Sequence, residues 1–182
     1  FFSRGDVISI LKINLPDRNF FQAIKDRIII YIYPFFQRLI YKKADMIIFQ
    51  AQFLRNLFLK RINLSSVKSK ILPNECNNKK LTYKKRIIKE EITLGFAAPM
   101  YWSCKGLGII VNLYKSLVKR KVNFKLFIAG KGPQSYKLIE KLSKISKRNF
   151  VWKGWVDNIY SFFNQIDLLI IPSKYDSCPN LL

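Results

Sequence analysis

The chain contains no histidine among its 182 residues. Without an imidazole, these residues cannot form a Ser-His-Asp triad, a histidine-ligated zinc site or a histidine general base. Most hydrolase mechanisms are therefore excluded. The three cysteines, Cys76, Cys104 and Cys178, are far apart and form no C-x-x-C pair. This pattern predicts reduced, ordinary buried residues and a cytoplasmic protein.

Acidic residues are also scarce, because 11 Asp and Glu stand against 33 Lys and Arg, for a formal net charge of +22. Such a charge favours nucleic acid, an anionic membrane surface or a phosphate-bearing substrate as the partner. A solvated lysine-rich surface explains the charge equally well. Because 49% of the residues are hydrophobic, the chain has ample material for a folded core.

No hydrophobic run is long enough to cross a bilayer. The longest, residues 28–36, is about half of the roughly 20 residues that a spanning helix needs, and it contains Pro34. We predict that this run belongs to a buried helix. The alternative is an interfacial helix, because basic residues flank the aromatic ones: Lys25, Arg27, Arg38, Lys42 and Lys43.

The order of apolar segments predicts an α/β protein with parallel, doubly wound sheets. We assign residues 1–78 to the C-terminal part of one Rossmann-like domain, 79–90 to a linker and 91–182 to the first part of a second domain. The start, Phe1-Phe2-Ser3-Arg4, predicts an internal beginning. Predicted helices cover 26–43, 52–61, 106–120, 133–145 and 158–164, and predicted strands cover 46–49, 69–72, 92–97, 124–129, 150–152 and 167–171.

Two loops of the second half lie where a predicted strand gives way to a helix. Gly130-Lys131-Gly132-Pro133 permits a tight turn and a helix start, and by itself indicates a structural turn. It lacks the third glycine of a dinucleotide fingerprint, where Ser135 stands, and the G-K-[ST] ending of a P-loop. Lys105-Gly106 brings an ammonium group to the same sheet edge, where it can neutralise a diphosphate, although most such lysines are ordinary surface residues.

The last segment, residues 171–182, reads IPSKYDSCPNLL. It joins a buried strand to a turn and offers one carboxylate, Asp176, ahead of what resembles a helix start. Open α/β sheets bind ligands at the carboxyl ends of their strands. We therefore expect the chain to end inside a binding site.

Together these segments resemble the retaining family 4 glycosyltransferases (glycosyl transferases group 1) of the GT-B fold. The resemblance covers most of the chain, with the weakest support in residues 1–25, and it implies two Rossmann-like domains that are both incomplete here, truncated at both ends. In the second half, the segments that carry the resemblance are Lys105-Gly106, the loop 130–133, W-K-G-W-V at 152–156, I-P-S at 171–173 and Asp176. Upstream, they are K-A-D-M-I-I at 43–48 and K-I-L-P-N at 70–74.

The resemblance implies roles for individual residues. Lys105 matches the lysine that contacts the donor diphosphate and assists departure of the nucleotide, and Asp176 matches the first acid of the Glu-x7-Glu motif. Both would be catalytic. The further donor-binding residues that it implies are Gly106, Gly130, Gly132, Trp155, Val156, Ser177, Cys178, Pro179, Asn180 and Leu181, with Trp155-Val156 receiving the nucleotide base.

The sequence departs from this family in two places. An arginine usually stands about five residues ahead of the lysine, but here the loop reads Ala98-Pro99-Met100-Tyr101-Trp102. The second acid of Glu-x7-Glu would fall at position 184, beyond the last residue. One cation that contacts the donor diphosphate is therefore missing unless another basic residue substitutes for it. The contact of the second acid with the donor ribose cannot be supplied by these residues.

The resemblance implies transfer of a sugar from a nucleotide-sugar donor with retention of configuration, without a cofactor or an obligatory metal. The acceptor would be a glycan or lipid-linked, as in cell-surface polysaccharide synthesis. We expect a cytoplasmic protein with peripheral contact to anionic membrane and no specific nucleic acid. The alternative is a noncatalytic protein, basic and nucleic-acid-binding or membrane-associated, supported by the charge and by aromatic residues among the lysines.

Overall fold

A computed structural model describes residues 2–3, 19–63, 67–74, 90–174 and 176. The chain divides into two compact units, one of Phe1–Cys76 with Tyr175–Leu182 and the other of Asn77–Lys174. Each unit is built on a parallel β-sheet. Of the predicted linker, only Glu90 lies within the described residues, so the predicted domain boundaries stay predictions.

The first unit contains a three-stranded sheet of order β1-β2-β3. Its first helix, α1, begins six residues earlier than predicted because Asn19 caps it: the Asn19 side chain accepts a hydrogen bond of 2.9 Å from the Gln22 backbone N–H. The elements are β1 (Phe2–Ser3), α1 (Phe20–Tyr41), β2 (Ile47–Phe49), α2 (Gln52–Ile62) and β3 (Ser69–Ile71).

Phe58 of α2 lies at the centre of the core of the first unit. Its ring meets the rings of Tyr41 and Phe49 edge to face, with centroids 5.0 Å and 5.4 Å apart. This geometry aligns the positive edge of one ring with the negative face of the next. The three aromatic residues thereby join the end of α1, the strand β2 and the helix α2.

Only one face of α1 packs against this core. The buried residues of α1 are Asp26, Gln37 and Tyr41. The prediction of a helix through residues 28–36 is confirmed, but the prediction that the run is buried is wrong. The described core of the first unit covers the other face of the helix, so Tyr31 and Phe35 are exposed to solvent. Among the described helices, none is long and apolar enough to cross a membrane.

The second unit contains a four-stranded parallel sheet of order β6-β5-β4-β7. The strands β4 and β5 have the predicted bounds, whereas β7 is shorter than predicted because it pairs with β4 only at Leu94 and Gly95. The elements are β4 (Ile92–Ala97), α3 (Leu107–Lys119), β5 (Phe124–Ala129), α4 (Ser135–Ile145), β6 (Phe150–Gly154), α5 (Ile159–Phe163) and β7 (Leu168–Leu169).

Tyr114 connects four elements of the second unit. Its ring, on α3, meets Phe124 and Phe150 edge to face at 5.6 Å and 5.9 Å. Its hydroxyl donates a hydrogen bond of 2.9 Å to the carbonyl oxygen of Ser146, directly after α4. Burial raises the pKa of the Tyr114 phenol above its ordinary value, because the charged phenolate is poorly solvated in the core.

We expect Tyr114→Phe to lower the free energy of unfolding by about 1 kcal/mol, because the half-buried carbonyl of Ser146 loses its hydrogen-bond donor. The stability that the neutral phenol contributes is complete below a pH of about 10 and is lost as the pH rises through the higher folded-state pKa. Urea unfolding of the full-length protein across this range should show that the free energy of unfolding falls more steeply with rising pH in the wild type than in Tyr114→Phe. Tyr136→Phe, at an exposed site on α4, is the control, and parallel pH profiles for Tyr114→Phe and wild type would contradict the argument.

Candidate functional site

The loops that follow the parallel strands of the second unit leave the sheet at one edge. They are residues 98–106 after β4, 130–134 after β5, 155–158 after β6 and 170–174 after β7. Open α/β sheets bind their ligands at this carboxyl edge. The fold brings to it six of the residues that the sequence singles out: Lys105, Gly106, Gly130, Gly132, Trp155 and Val156.

The loops after β4 and β5 are fastened together by their backbones. Met100 donates its N–H to the carbonyl of Lys131 at 3.2 Å, and Gln134 donates its own to the carbonyl of Met100 at 3.3 Å. The Gln134 side chain adds a third bond by accepting the N–H of Trp102 at 2.7 Å. Because these bonds tie each loop to the other, the two form one preorganised wall of the site.

Two glycines make this close approach possible. A Cβ atom at Gly130 would lie 2.0 Å from the carbonyl oxygen of Ala98, and one at Gly132 would lie 2.7 Å from the backbone nitrogen of Met100. Gly130 also has a φ of 124°, which favours glycine. Both glycines thus have a structural role between the loops, and their predicted contact with a donor stays a prediction.

Lys105 lies between two points at which its loop meets the segment after β7. The Lys174 N–H donates to the carbonyl of Cys104 at 3.0 Å, and a Cβ atom at Gly106 would stand 2.2 Å from the carbonyl oxygen of Pro172. Gly106 has a φ of 68° and immediately precedes α3. The backbone of Lys105 is therefore held on both sides, and its side chain is half-buried.

Met100 occupies the position five residues ahead of Lys105, where the family usually has an arginine. Its side chain is fully buried in the core of the second unit. A long cationic side chain would not fit this site without a change in the loop, since a buried, unpaired charge is costly. The exposed lysines on the neighbouring loops of the same edge are Lys131 and Lys174.

The loop after β6 carries the predicted base-binding residues. Trp155 is 63% exposed, and its indole N–H donates to the carboxylate of Asp157 at 3.0 Å. Trp152, by contrast, donates its indole N–H to the carbonyl of Gly130 at 3.1 Å and so supports the glycine loop. An open concavity of about 550 Å³ adjoins this loop, lined by Asp157, Asn158, Ile159, Tyr160, Ser161 and Asn164.

Asp176, the predicted acid, is half-buried and falls in the segment that groups with the first unit. The second unit by itself therefore contains Lys105 but not Asp176. The other predicted residues of this segment lie outside the described residues: Ser177, Cys178, Pro179, Asn180 and Leu181. Within the part of the chain that the structure describes, no group of three or more His, Cys, Asp or Glu side chains could hold a metal ion.

Trp102 has a role in this wall that its place in the sequence did not indicate. The ammonium groups of Lys137 and Lys141 lie 4.9 Å and 5.6 Å from the centre of its ring, a cation–π arrangement. The i, i+4 spacing of these two lysines on α4 was visible in the sequence, but their aromatic partner lies on a distant loop. Trp102 thereby links the loop after β4 to α4.

We expect Gly132→Ala to destabilise the protein by about 1–3 kcal/mol, because the new methyl group meets backbone atoms of Met100 that cannot move aside freely. Gly108→Ala is the matched control. Its methyl group would lie 3.5 Å from the Trp102 indole nitrogen, an ordinary contact, and alanine favours the helix by about 1 kcal/mol. Equal urea-unfolding midpoints for the two variants would contradict the proposed role of Gly132.

Comparison with known proteins connects this geometry to a family. Residues 91–182 match the family model described as glycosyl transferases group 1. An uncharacterized glycosyltransferase of Methanocaldococcus jannaschii is 26% identical over 176 residues, which cover 92% of this chain and 42% of the relative. The chain thus spans less than half the length of this curated relative.

Solved structures show the same fold. WaaG, a glycosyltransferase involved in lipopolysaccharide biosynthesis, superposes with a TM-score of 0.68 at 18% identity, over 97% of this chain and 50% of WaaG. TarM of S. aureus superposes with a TM-score of 0.64 at 17% identity, over 75% of this chain and 27% of TarM. These likenesses confirm the predicted α/β fold of the GT-B type. The family match over half of the chain, on the unit whose loops carry Lys105 and the glycine turn, shows that this chain belongs to the group 1 glycosyltransferases.

Proposed function

We propose that the protein transfers a sugar from a nucleotide-sugar donor to an acceptor with retention of configuration, as a family 4 enzyme does. The observation that carries this proposal is the convergence of Lys105, the glycine loop and Trp155 at one carboxyl edge of a parallel sheet. TarM was solved with UDP, which supports a nucleoside diphosphate as the leaving group.

In the proposed reaction, the bond between the anomeric carbon and the diphosphate oxygen breaks, and negative charge develops on the departing nucleotide. The ammonium group of Lys105 stabilises that charge, because a fixed cation at a partly dehydrated site costs no reorganisation during the reaction. The acceptor hydroxyl then bonds to the anomeric carbon and transfers its proton to the departing diphosphate oxygen, which carries the proton away with the nucleotide. Asp176 contacts the donor sugar, and neither a cofactor nor a metal takes part.

Trp155 and Val156 receive the nucleotide base in this proposal. The indole of Trp155 is largely exposed, and its hydrogen bond to Asp157 fixes the ring orientation. A base stacked on a fixed aromatic ring is bound with little loss of side-chain entropy. Gly106, Gly130 and Gly132 line the diphosphate cleft, and the segment 177–181 approaches the sugar.

The proposed acceptor is a glycan or a lipid-linked sugar of the cell surface. WaaG is involved in lipopolysaccharide biosynthesis, and TarM was solved with alpha-GlcNAc-glycerol, which supports acceptors of this class. The excess of basic residues suits work at the inner face of the plasma membrane, where anionic lipids attract Lys and Arg. We therefore propose a cytoplasmic protein in peripheral contact with that membrane and without a specific nucleic-acid partner.

We expect Lys105→Ala in the full-length protein to lower the rate of sugar transfer by on the order of a hundredfold, because one charge-stabilising donor is lost. Lys144→Ala is the control, since Lys144 is exposed and pairs with Glu140 at 2.6 Å on the surface of α4. Release of UDP and GDP from a panel of nucleotide sugars measures the rate. A Lys105→Ala enzyme as fast as the control would end the role assigned to Lys105.

Calorimetric titration of the full-length protein with UDP and GDP tests the class of function itself. We expect binding of at least one nucleotide, weakened by Lys105→Ala and unchanged by Lys144→Ala. If neither nucleotide binds but an arbitrary oligonucleotide does, with a steep salt dependence, the glycosyltransferase proposal fails. The nucleic-acid alternative would then stand in its place.

A further inference from the structure

The side chain of Lys131 crosses from the loop after β5 to the end of β6. A Cβ atom at Gly154 would lie 3.6 Å from the Lys131 Cε atom, so the methylene stem passes over a position that has no side chain. Gly154 has a φ of 66°, which favours glycine, and Trp155 follows it directly. The ammonium group, one bond beyond Cε, therefore lies beside the loop that carries Trp155 and Val156.

Three hydrogen bonds hold the backbone from which this side chain leaves. The Gly130 N–H donates to the carbonyl of Gly154 at 2.6 Å, and the Gly130 carbonyl accepts the indole N–H of Trp152 at 3.1 Å. The carbonyl of Lys131 itself accepts the N–H of Met100 at 3.2 Å. Because the backbone is already fixed, only the lysine stem has to be ordered when a ligand binds, which keeps the entropic cost of binding small.

An irregularity in the pairing of β5 with β6 sets this arrangement. Ile128 pairs with Trp152, but the next residue, Ala129, pairs with Gly154, so Lys153 is an extra residue in β6. A bulge of this kind bends the strand and changes the direction of the residues around it, and bulges are frequent beside functional sites. Here the bulge brings Gly154 level with the end of β5 and within reach of the Lys131 stem.

Lys105 and Lys131 serve opposite ends of the sheet edge, along which the strand order is β6-β5-β4-β7. Lys105 follows β4, and its loop is attached to the segment after β7, whereas the Lys131 side chain turns the other way, toward β6. A nucleotide whose diphosphate meets Lys105 and whose base meets Trp155 would extend along the edge in this direction. Lys131 then lies at the base end of the nucleotide.

The ammonium group of Lys131 can donate hydrogen bonds but cannot accept them. Its side chain is exposed, and among the described residues no carboxylate forms an ion pair with it. It therefore suits a base that has an oxygen acceptor on the edge remote from the ribose. Guanine has such an oxygen, O6, and uracil has O4 as thymine does, whereas adenine and cytosine present amino groups at these positions. An amino group would meet the ammonium as a second donor.

We propose that Lys131 selects the donor nucleotide by donating a hydrogen bond to the exocyclic oxygen of a uracil or guanine base, and so disfavours cytosine and adenine. This inference rests on the proposed function, because it narrows the class of nucleotide that the same site binds. An aromatic ring such as that of Trp155 stacks on any base, since every base has a π-face. Lys131 supplies the discrimination that stacking lacks.

The test is calorimetric titration of the full-length protein with UDP, CDP, GDP and ADP. UDP and GDP have the oxygen where CDP and ADP, their counterparts of equal ring size, have the amino group. We expect the wild type to bind UDP more tightly than CDP, or GDP more tightly than ADP, by about tenfold, as one charged hydrogen bond allows. Lys131→Met keeps the stem over Gly154, removes the ammonium group and should abolish this preference. The matched control is Lys174→Met, which removes an exposed lysine on the β7 side of the same edge and should leave the preference unchanged.

The outcomes separate this inference from the proposed function. A preference that persists in Lys131→Met, or wild-type protein that binds CDP and ADP as tightly as UDP and GDP, overturns the inference while the proposed function stands. Equal weakening of all four nucleotides by Lys131→Met also overturns it, because Lys131 would then contact the diphosphate in place of the absent arginine. If none of the four nucleotides binds, the proposed function fails and this inference fails with it.

Discussion

The close backbone contact between the loop after β4 and the glycine turn after β5 is the constraint on which the candidate site depends. Hydrogen bonds between Met100 and both Lys131 and Gln134 join the loops, and Gly130 and Gly132 leave the space that these bonds require. The parallel pairing of β4 with β5 brings the two loops to the same edge. This contact fixes the first part of the loop that carries Lys105, and a cation that stabilises a leaving group must be held in place.

The strands that support this contact were predictable, because a central parallel strand is apolar on both faces. The bounds of β4 and β5 follow from their largely apolar character. The alternation of strands and helices indicated the sheet edge that carries Lys105 and Gly106. Contacts between loops were not predictable in the same way. Nothing in the local sequence indicates that Met100 turns inward or that Gln134 accepts a hydrogen bond from Trp102, since both depend on the distance between two loops in the folded chain.

The helix α1 shows a different limit of prediction. Its apolar run correctly indicated a helix, and the expectation of burial came from the average behaviour of such runs. Hydrophobicity alone does not identify the side of a helix that meets the core, because that depends on what packs beside it. In the first unit the cluster around Phe58 contacts the face of α1 that ends at Tyr41. The flanking basic residues were the signal for the interfacial alternative, which stays a prediction.

The attachment of the Lys105 loop to the segment after β7 has a consequence for how this protein can evolve. The bond from Lys174 to Cys104 uses main-chain atoms only, and Gly106 meets the carbonyl oxygen of Pro172. Main-chain contacts survive exchange of the side chains at positions 104 and 174, whereas any side chain at 106 would collide with the neighbouring backbone. Substitutions can therefore accumulate around the lysine and alter the surface of the site while the lysine backbone keeps its position.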